Sequence, residues 1–188
     1  MDSKKITGSN IYLMATYAIM TALMCIFGPV SVPIGPIPIS LTNLILYFSI
    51  YIIGMRGTTI SYIVYMLLGV VGLPVFSGYQ GGVAKLAGPT GGYLIGFVLL
   101  ALISGFAFEK SSGKLRVPVT IGGMIAGTLV AYIFGTVWFV AMMQCEVAYA
   151  LSVCVFPFIP FDLAKIVIAS ALGMAVRKPL CKQGFISE

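Results

Sequence analysis

The sequence predicts an all-α membrane protein, a single domain over residues 1–188 built as a bundle of six transmembrane helices with both termini cytoplasmic. Three observations predict it. Of the 188 residues, 60% are hydrophobic and 9% charged, against about 25% charged in a soluble domain. The apolar runs number six, and a span needs about 20 residues. Nine of the eleven Lys and Arg fall on one side of those spans. A barrel is excluded because the runs do not alternate as membrane strands do.

The first helix is expected at 9–27. Lys4 and Lys5 precede it, and no small-residue cleavage site follows, so the segment reads as retained rather than as a signal peptide. Ala15, Ala18 and Ala22 line one of its faces at small-xxx-small spacing. That face either packs within the chain's own bundle or docks another membrane subunit. The following outer loop, Gly28–Ser40, carries Pro29, Pro33, Pro36 and Pro38 and is expected to be stiff and extended. Helices at 41–54 and 58–72 come next, with Arg56 between them. The second outer loop, Leu73–Gly91, is rich in glycine and poor in charge, which suits a lid over a cavity or a loop resting on headgroups.

The fourth and fifth helices are expected at 92–108 and 117–143. Gly92 and Gly96 in one, Gly123 and Gly127 in the other, stand at GxxxG spacing and read as packing faces. The run Gly88-Pro89-Thr90-Gly91-Gly92-Tyr93 is by itself a turn leading into such a face. It leaves Tyr93 at the interface, to close over a ligand or to anchor in the headgroups. The third outer connection, Gln144–Ile159, is apolar. Pro160 suits a first helical turn, so the sixth helix is expected at 160–177.

Charge placement explains the net charge of +6. Lys4, Lys5, Arg56, Lys110, Lys114, Arg116, Arg177, Lys178 and Lys182 lie inside if the N-terminus does, as the positive-inside rule requires. The basic balance is thus a topology signal and not a nucleic-acid footprint. Cys25, Cys145, Cys154 and Cys181 lack metal spacing and histidine is absent, so no metal or cofactor is expected. No phosphate-binding G-x-x-x-x-G-K-[ST] motif exists, so this chain does not hydrolyse ATP itself. Motifs for an intramembrane enzyme are likewise missing.

Asp162 and Lys165 are the exception in the last apolar helix. A charge at bilayer depth costs roughly 2.5–3.5 kcal/mol on insertion scales, and such residues mark functional sites. At i and i+3 they share a face, and Asp162 near the helix start is favoured by the dipole. Either they neutralise each other as a structural ion pair, or they face a small polar ligand arriving from outside. In the second case Asp162 accepts from ligand N–H groups and Lys165 donates to a carbonyl or carboxylate. A proton relay lacks its second buried acid.

Taken together, Gly72-Leu73-Pro74-Val75-Phe76, Gly88-Pro89-Thr90-Gly91-Gly92-Tyr93 and Pro160-x-Asp162-x-x-Lys165 resemble the biotin-specific S-component of energy-coupling-factor (ECF) transporters, the BioY family. The resemblance runs from about Pro33 to Val176. It implies a multi-pass subunit in the cell membrane of a prokaryote that captures biotin from outside. Its implied partners are membrane lipid, a transmembrane coupling subunit and two cytoplasmic ATPases. Biotin offers ureido N–H groups suited to Asp162, and a ureido carbonyl and carboxylate tail suited to Lys165. By the same resemblance Phe76, Tyr79, Tyr93 and the glycine loop, with Gly82, Gly91 and Gly92, enclose the ring. Thr42 and Asn43 complete the polar contacts, and Ala15, Ala18 and Ala22 dock the coupling subunit. An S-component for another vitamin, or a stand-alone secondary carrier, are the rival readings. Gln80 and Lys85 receive no role.

Overall fold

The computed structural model describes residues 3–34 and 37–182. The extreme termini, expected in the cytoplasm, lie outside the described residues. The chain runs through α1 (Ser3–Phe27), a hairpin of β1 (Ser31–Ile34) and β2 (Ile37–Ser40), α2 (Thr42–Val70), a short α3 (Val83–Ala87) and α4 (Gly91–Lys110). A 3₁₀ turn (Gly113–Leu115) then leads into α5 (Arg116–Met143), α6 (Val147–Cys154) and α7 (Phe158–Lys182). Four of these helices, α2, α4, α5 with its leading turn, and α7, are long and apolar enough to cross a membrane; Ile11–Phe27 is a shorter apolar segment.

α2 is two arms rather than one rod. Gly54 breaks its helical path with φ 66° and ψ −168°, a conformation that only glycine adopts without strain. Met55, whose N–H loses its helical acceptor there, donates instead to Glu109 Oε1 at 2.9 Å. The chain folds back at that point: Thr42 Oγ1 lies 3.5 Å from the Tyr65 hydroxyl. In a continuous helix, 23 residues would separate them by roughly 35 Å. The expected helices at 41–54 and 58–72 therefore meet at Gly54 without the loop foreseen between them.

Small residues let α4 and α5 approach closely along an antiparallel seam. A Cβ on Gly96 would stand 3.1 Å from Ala131 Cα, and one on Gly127 would stand 3.1 Å from Leu100 Cα. Gly92 abuts Trp138 and Gly135 in the same way, and Gly123 abuts Ala107 and Ser104. Both GxxxG pairs thus pack against the partner helix. Around them lies an aromatic core in which Tyr47, Tyr51, Tyr62, Tyr65 and Phe76 are fully buried.

The connections expected on the outer side hold more structure than expected. The proline-rich loop is extended, as its composition requires, but as a two-stranded hairpin with Ser31 opposite Ser40 and Val32 opposite Ile39. Ile37 and Ile39 point into the molecule. Val147–Cys154 is helical where a plain connection was expected, burying Ala150 and Cys154. On α1, Ala15, Ala18 and Ala22 are all exposed, so the stripe does not pack inside the chain's own bundle. Ala18 and Ala22 border an open apolar groove shared with Ile60, Val64 and Leu68 of the second α2 arm.

The α4–α5 seam predicts a sharp positional effect. Gly127→Val forces a side chain against the Leu100 backbone and should cost about 1–3 kcal/mol. Gly122→Val, where a Cβ meets nothing within 4 Å, should be neutral. Thermal unfolding of both variants in detergent checks this; equal shifts would contradict the close approach.

Candidate functional site

Four elements deliver polar groups to one buried point near the start of α7. Pro160 sits in the first turn of that helix, where a missing N–H leaves nothing unpaired, so Asp162 and Lys165 fall in its first two turns. They form an ion pair of 3.0 Å, and both side chains are more than nine-tenths buried. Asp162 Oδ1 also accepts from Asn43 Nδ2 of the first α2 arm at 2.8 Å. Its Oδ2 accepts from the Tyr132 hydroxyl of α5 at 2.6 Å.

Lys165 Nζ spends three contacts within the same cluster. It donates to Asp162 Oδ1, to Asn43 Oδ1 at 3.0 Å and to the Ser40 carbonyl of β2 at 2.9 Å. An ammonium has three N–H groups, so every one is matched. Unpaired polar groups are costly where no water reaches, and this completeness is what lets two charges sit in an apolar bundle. The carboxylate retains acceptor capacity, since an ionised carboxyl offers about four lone-pair sites and three are filled.

Beside the pair lies a cavity of about 60 Å³ bordered by Asn43, Tyr93, Leu94, Phe97, Tyr132 and Phe158, with Ile37, Pro38 and Ser40 of the hairpin on its outer side. It is predominantly apolar, with the charged pair at one end. Ligand pockets of drug-sized molecules measure about 300–1,000 Å³, so the chamber must widen to admit one. The hairpin walls one side of the chamber and is held there by the Ser40 carbonyl, which accepts from Lys165.

Of the side chains expected at the site, Asp162, Lys165, Asn43 and Tyr93 meet there. Tyr93 donates or accepts at Thr136 Oγ1, 3.0 Å away, with its ring on the chamber wall. Others sit elsewhere. Thr42 is buried between Ser40 Oγ and the Tyr65 hydroxyl. Phe76 packs edge-on against Tyr65, at 5.7 Å between centroids, over Gly69 in the core. Tyr79, at φ 58°, is 69% exposed. Gly82 leads into α3 with φ 90°; Gly91 and Gly92 make close packing contacts. The glycine loop borders the chamber through Ser77 and Thr90 only.

Tyr132 was missed, yet its pattern is in the sequence. Thr128, Tyr132 and Thr136 recur every fourth residue in an otherwise apolar helix, which places them on one face. Thr128 pairs with Tyr47 at 2.5 Å, Tyr132 with Asp162 and Thr136 with Tyr93.

A second, outward-opening vestibule adjoins the first through Thr90, which borders both. Lys85 of α3 lines it beside Gln80, Ala84 and Gly88. Among the described residues no carboxylate pairs with Lys85, and burial lowers its pKa from the ordinary lysine value.

A helical membrane bundle whose polar side chains converge on one enclosed chamber defines a membrane protein built to hold a small solute. The chain belongs to the BioY family, whose model matches residues 2–182. It is 36% identical over 160 residues to the biotin transporter BioY of Thermotoga maritima, covering 85% of this chain and 92% of that protein. Similarity to the biotin transporter BioY of Rhizobium etli is 33% over 175 residues, covering 89% and 92%. Among solved structures it resembles the S-component for biotin from an ECF-type ABC transporter, with a TM-score of 0.78 and 28% identity over 95% of each chain. These relatives are transporters, not enzymes.

Removing one member of the buried pair should expose the constraint. Asp162→Asn strands the Lys165 ammonium and should destabilise the ligand-free protein by about 3–5 kcal/mol. Asp162→Asn combined with Lys165→Met should recover much of that loss. Unfolding midpoints of the two variants measure it; simple additivity would mean the charges are not coupled.

Proposed function

We propose that this chain is the biotin-binding S-component of an ECF-type importer, a single-domain protein of six membrane crossings with both termini in the cytoplasm of a prokaryotic cell. The observation that carries the reading is the Asp162–Lys165–Asn43–Tyr132 cluster facing an apolar chamber at the outer end of the bundle. The two arms of α2, counted separately, bring the crossings to six and put nine of eleven cations inside, which supports this topology.

Biotin's chemistry fits the chamber. A ureido N–H suits the open acceptor position of Asp162, and its ureido carbonyl suits Lys165 Nζ in exchange for the Ser40 carbonyl. The apolar fused ring suits Tyr93, Phe97 and Phe158. The carboxylate tail then points toward Thr90 and the vestibule, where the half-buried Lys85 supplies a cation. Energy comes from a coupling subunit and two ATPases, and the exposed Ala15, Ala18 and Ala22 stripe supports docking of the coupling subunit. An S-component for another vitamin is disfavoured by the named relatives. A secondary carrier is disfavoured by the lack of a second buried acid beside Asp162 among the described residues.

Calorimetric titration of biotin into purified protein should give tight one-to-one binding. Asp162→Asn should weaken it at least about tenfold, or 1.4 kcal/mol. Folded wild-type protein that ignores biotin would redirect the assignment to another vitamin.

The Lys85 role has a pH signature. Desolvation lowers its pKa, so the charge present at neutral pH is lost as pH rises, earlier than for a free lysine. Biotin affinity should therefore fall on the alkaline side, and Lys85→Gln should be weaker at neutral pH with that fall flattened. No other titratable group lines the vestibule. An unchanged alkaline limb in Lys85→Gln would remove Lys85 from the site.

A further inference from the structure

At the opposite end of the bundle, the α4–α5 connection and the last turns of α7 enclose an open groove of about 670 Å³. Arg116, Arg177, Lys178 and Lys182 line it, and among the described residues no carboxylate does. The two guanidinium groups converge on one ring: Arg116 lies 5.3 Å and Arg177 4.9 Å from the centroid of Phe108. Backbone carbonyls hold both in place. Arg116 Nε donates to the Ser111 carbonyl at 3.2 Å, and Arg177 Nη1 donates to the Tyr51 carbonyl at 2.8 Å. The positive-inside rule requires cations on this side; it does not require them to gather around one aromatic ring and one groove.

A guanidinium fork matches phosphate oxygens in geometry; the half-buried Arg116 presents one to the groove, with the buried Arg177 adding its charge from behind. Lys178 and Lys182, at i and i+4 on one helix face, add two exposed charges. The wall toward the middle of the bundle is apolar. Met174 lines it, and two residues to either side of Met174, on the outward face of α7 beside the groove, Leu172 and Val176 are 53% and 40% exposed. Cations at the helix ends with apolar surface immediately above them match a phosphate head joined to acyl chains better than a free anion.

We propose that this groove holds the phosphate headgroup of an anionic phospholipid. The leaflet follows from the orientation argued above; the headgroup preference does not, so the two can fail separately. Biotin binding at the far end of the bundle is independent of the groove and reports that a variant has folded.

Native mass spectrometry of the full chain in detergent tests the proposal, with phosphatidylglycerol and phosphatidylcholine of matched acyl chains as probes. Phosphatidylglycerol should be retained preferentially. Lys178→Gln, Lys182→Gln and Arg116→Gln should each weaken that preference about fivefold, with biotin binding kept. Equal retention of the two lipids would overturn the proposal, as would a preference unchanged when all three cations are replaced. Displacement of phosphatidylglycerol by millimolar inorganic phosphate would assign the groove to a soluble phosphate and overturn the lipid assignment.

Discussion

Two opposite charges 3.0 Å apart inside an apolar bundle impose a condition on every element around them. In such surroundings each N–H and each oxygen must find a partner, because water is not there to supply one. Asp162 and Lys165 meet that condition only through groups from three other elements. These are the Asn43 amide on α2, the Tyr132 hydroxyl on α5 and the Ser40 carbonyl on β2. The register of α2 against α7, the rotation of α5 and the seat of the hairpin are thus fixed by one carboxylate and one ammonium.

From that point a polar seam runs along the bundle in helical steps. Asn43, Tyr47 and Tyr51 stand four residues apart on α2 and pair in turn with Asp162, Thr128 and Ser170. Close approach of the helices is what brings such short groups into range. The glycines of α4 and α5 supply it on one side, and Gly173 supplies it under the Tyr51 ring on another. Small residues and polar residues therefore act together. The first set the distance between helices, and the second make that distance specific.

Much of this was legible in the sequence. Apolar runs announced the helices, cation asymmetry set the orientation expected of them, and an ion pair within the last apolar run marked the candidate site. Both GxxxG spacings read as packing faces, and they are. The hairpin of Ser31–Ser40 was not legible, because a proline-rich segment shows no alternation strong enough to announce paired strands. Nor was α6, since its eight residues, apolar but for Ser152, carry no charge or clear period to separate helix from coil. Phe76 was expected at the ligand through the family resemblance, but a benzyl group with Gly69 opposite it packs into the core instead. Tyr132 received no role from the sequence. Its four-residue spacing from Thr128 and Thr136 carried the signal.

Pre-assembly has a functional consequence. The cluster is satisfied almost wholly within itself, so a ligand gains affinity chiefly by exchanging contacts, taking the one open acceptor position on Asp162 and replacing the Ser40 carbonyl at Lys165. Such an exchange would loosen β2 and widen the chamber in one step. An experimentally determined structure of the biotin complex tests this most directly. The account predicts a ureido N–H on the Asp162 carboxylate, the ureido oxygen on Lys165 Nζ, and the Lys165–Ser40 contact broken with β2 displaced. Biotin bound elsewhere, with that contact and the Asn43 and Tyr132 bonds to Asp162 all unchanged, would contradict it.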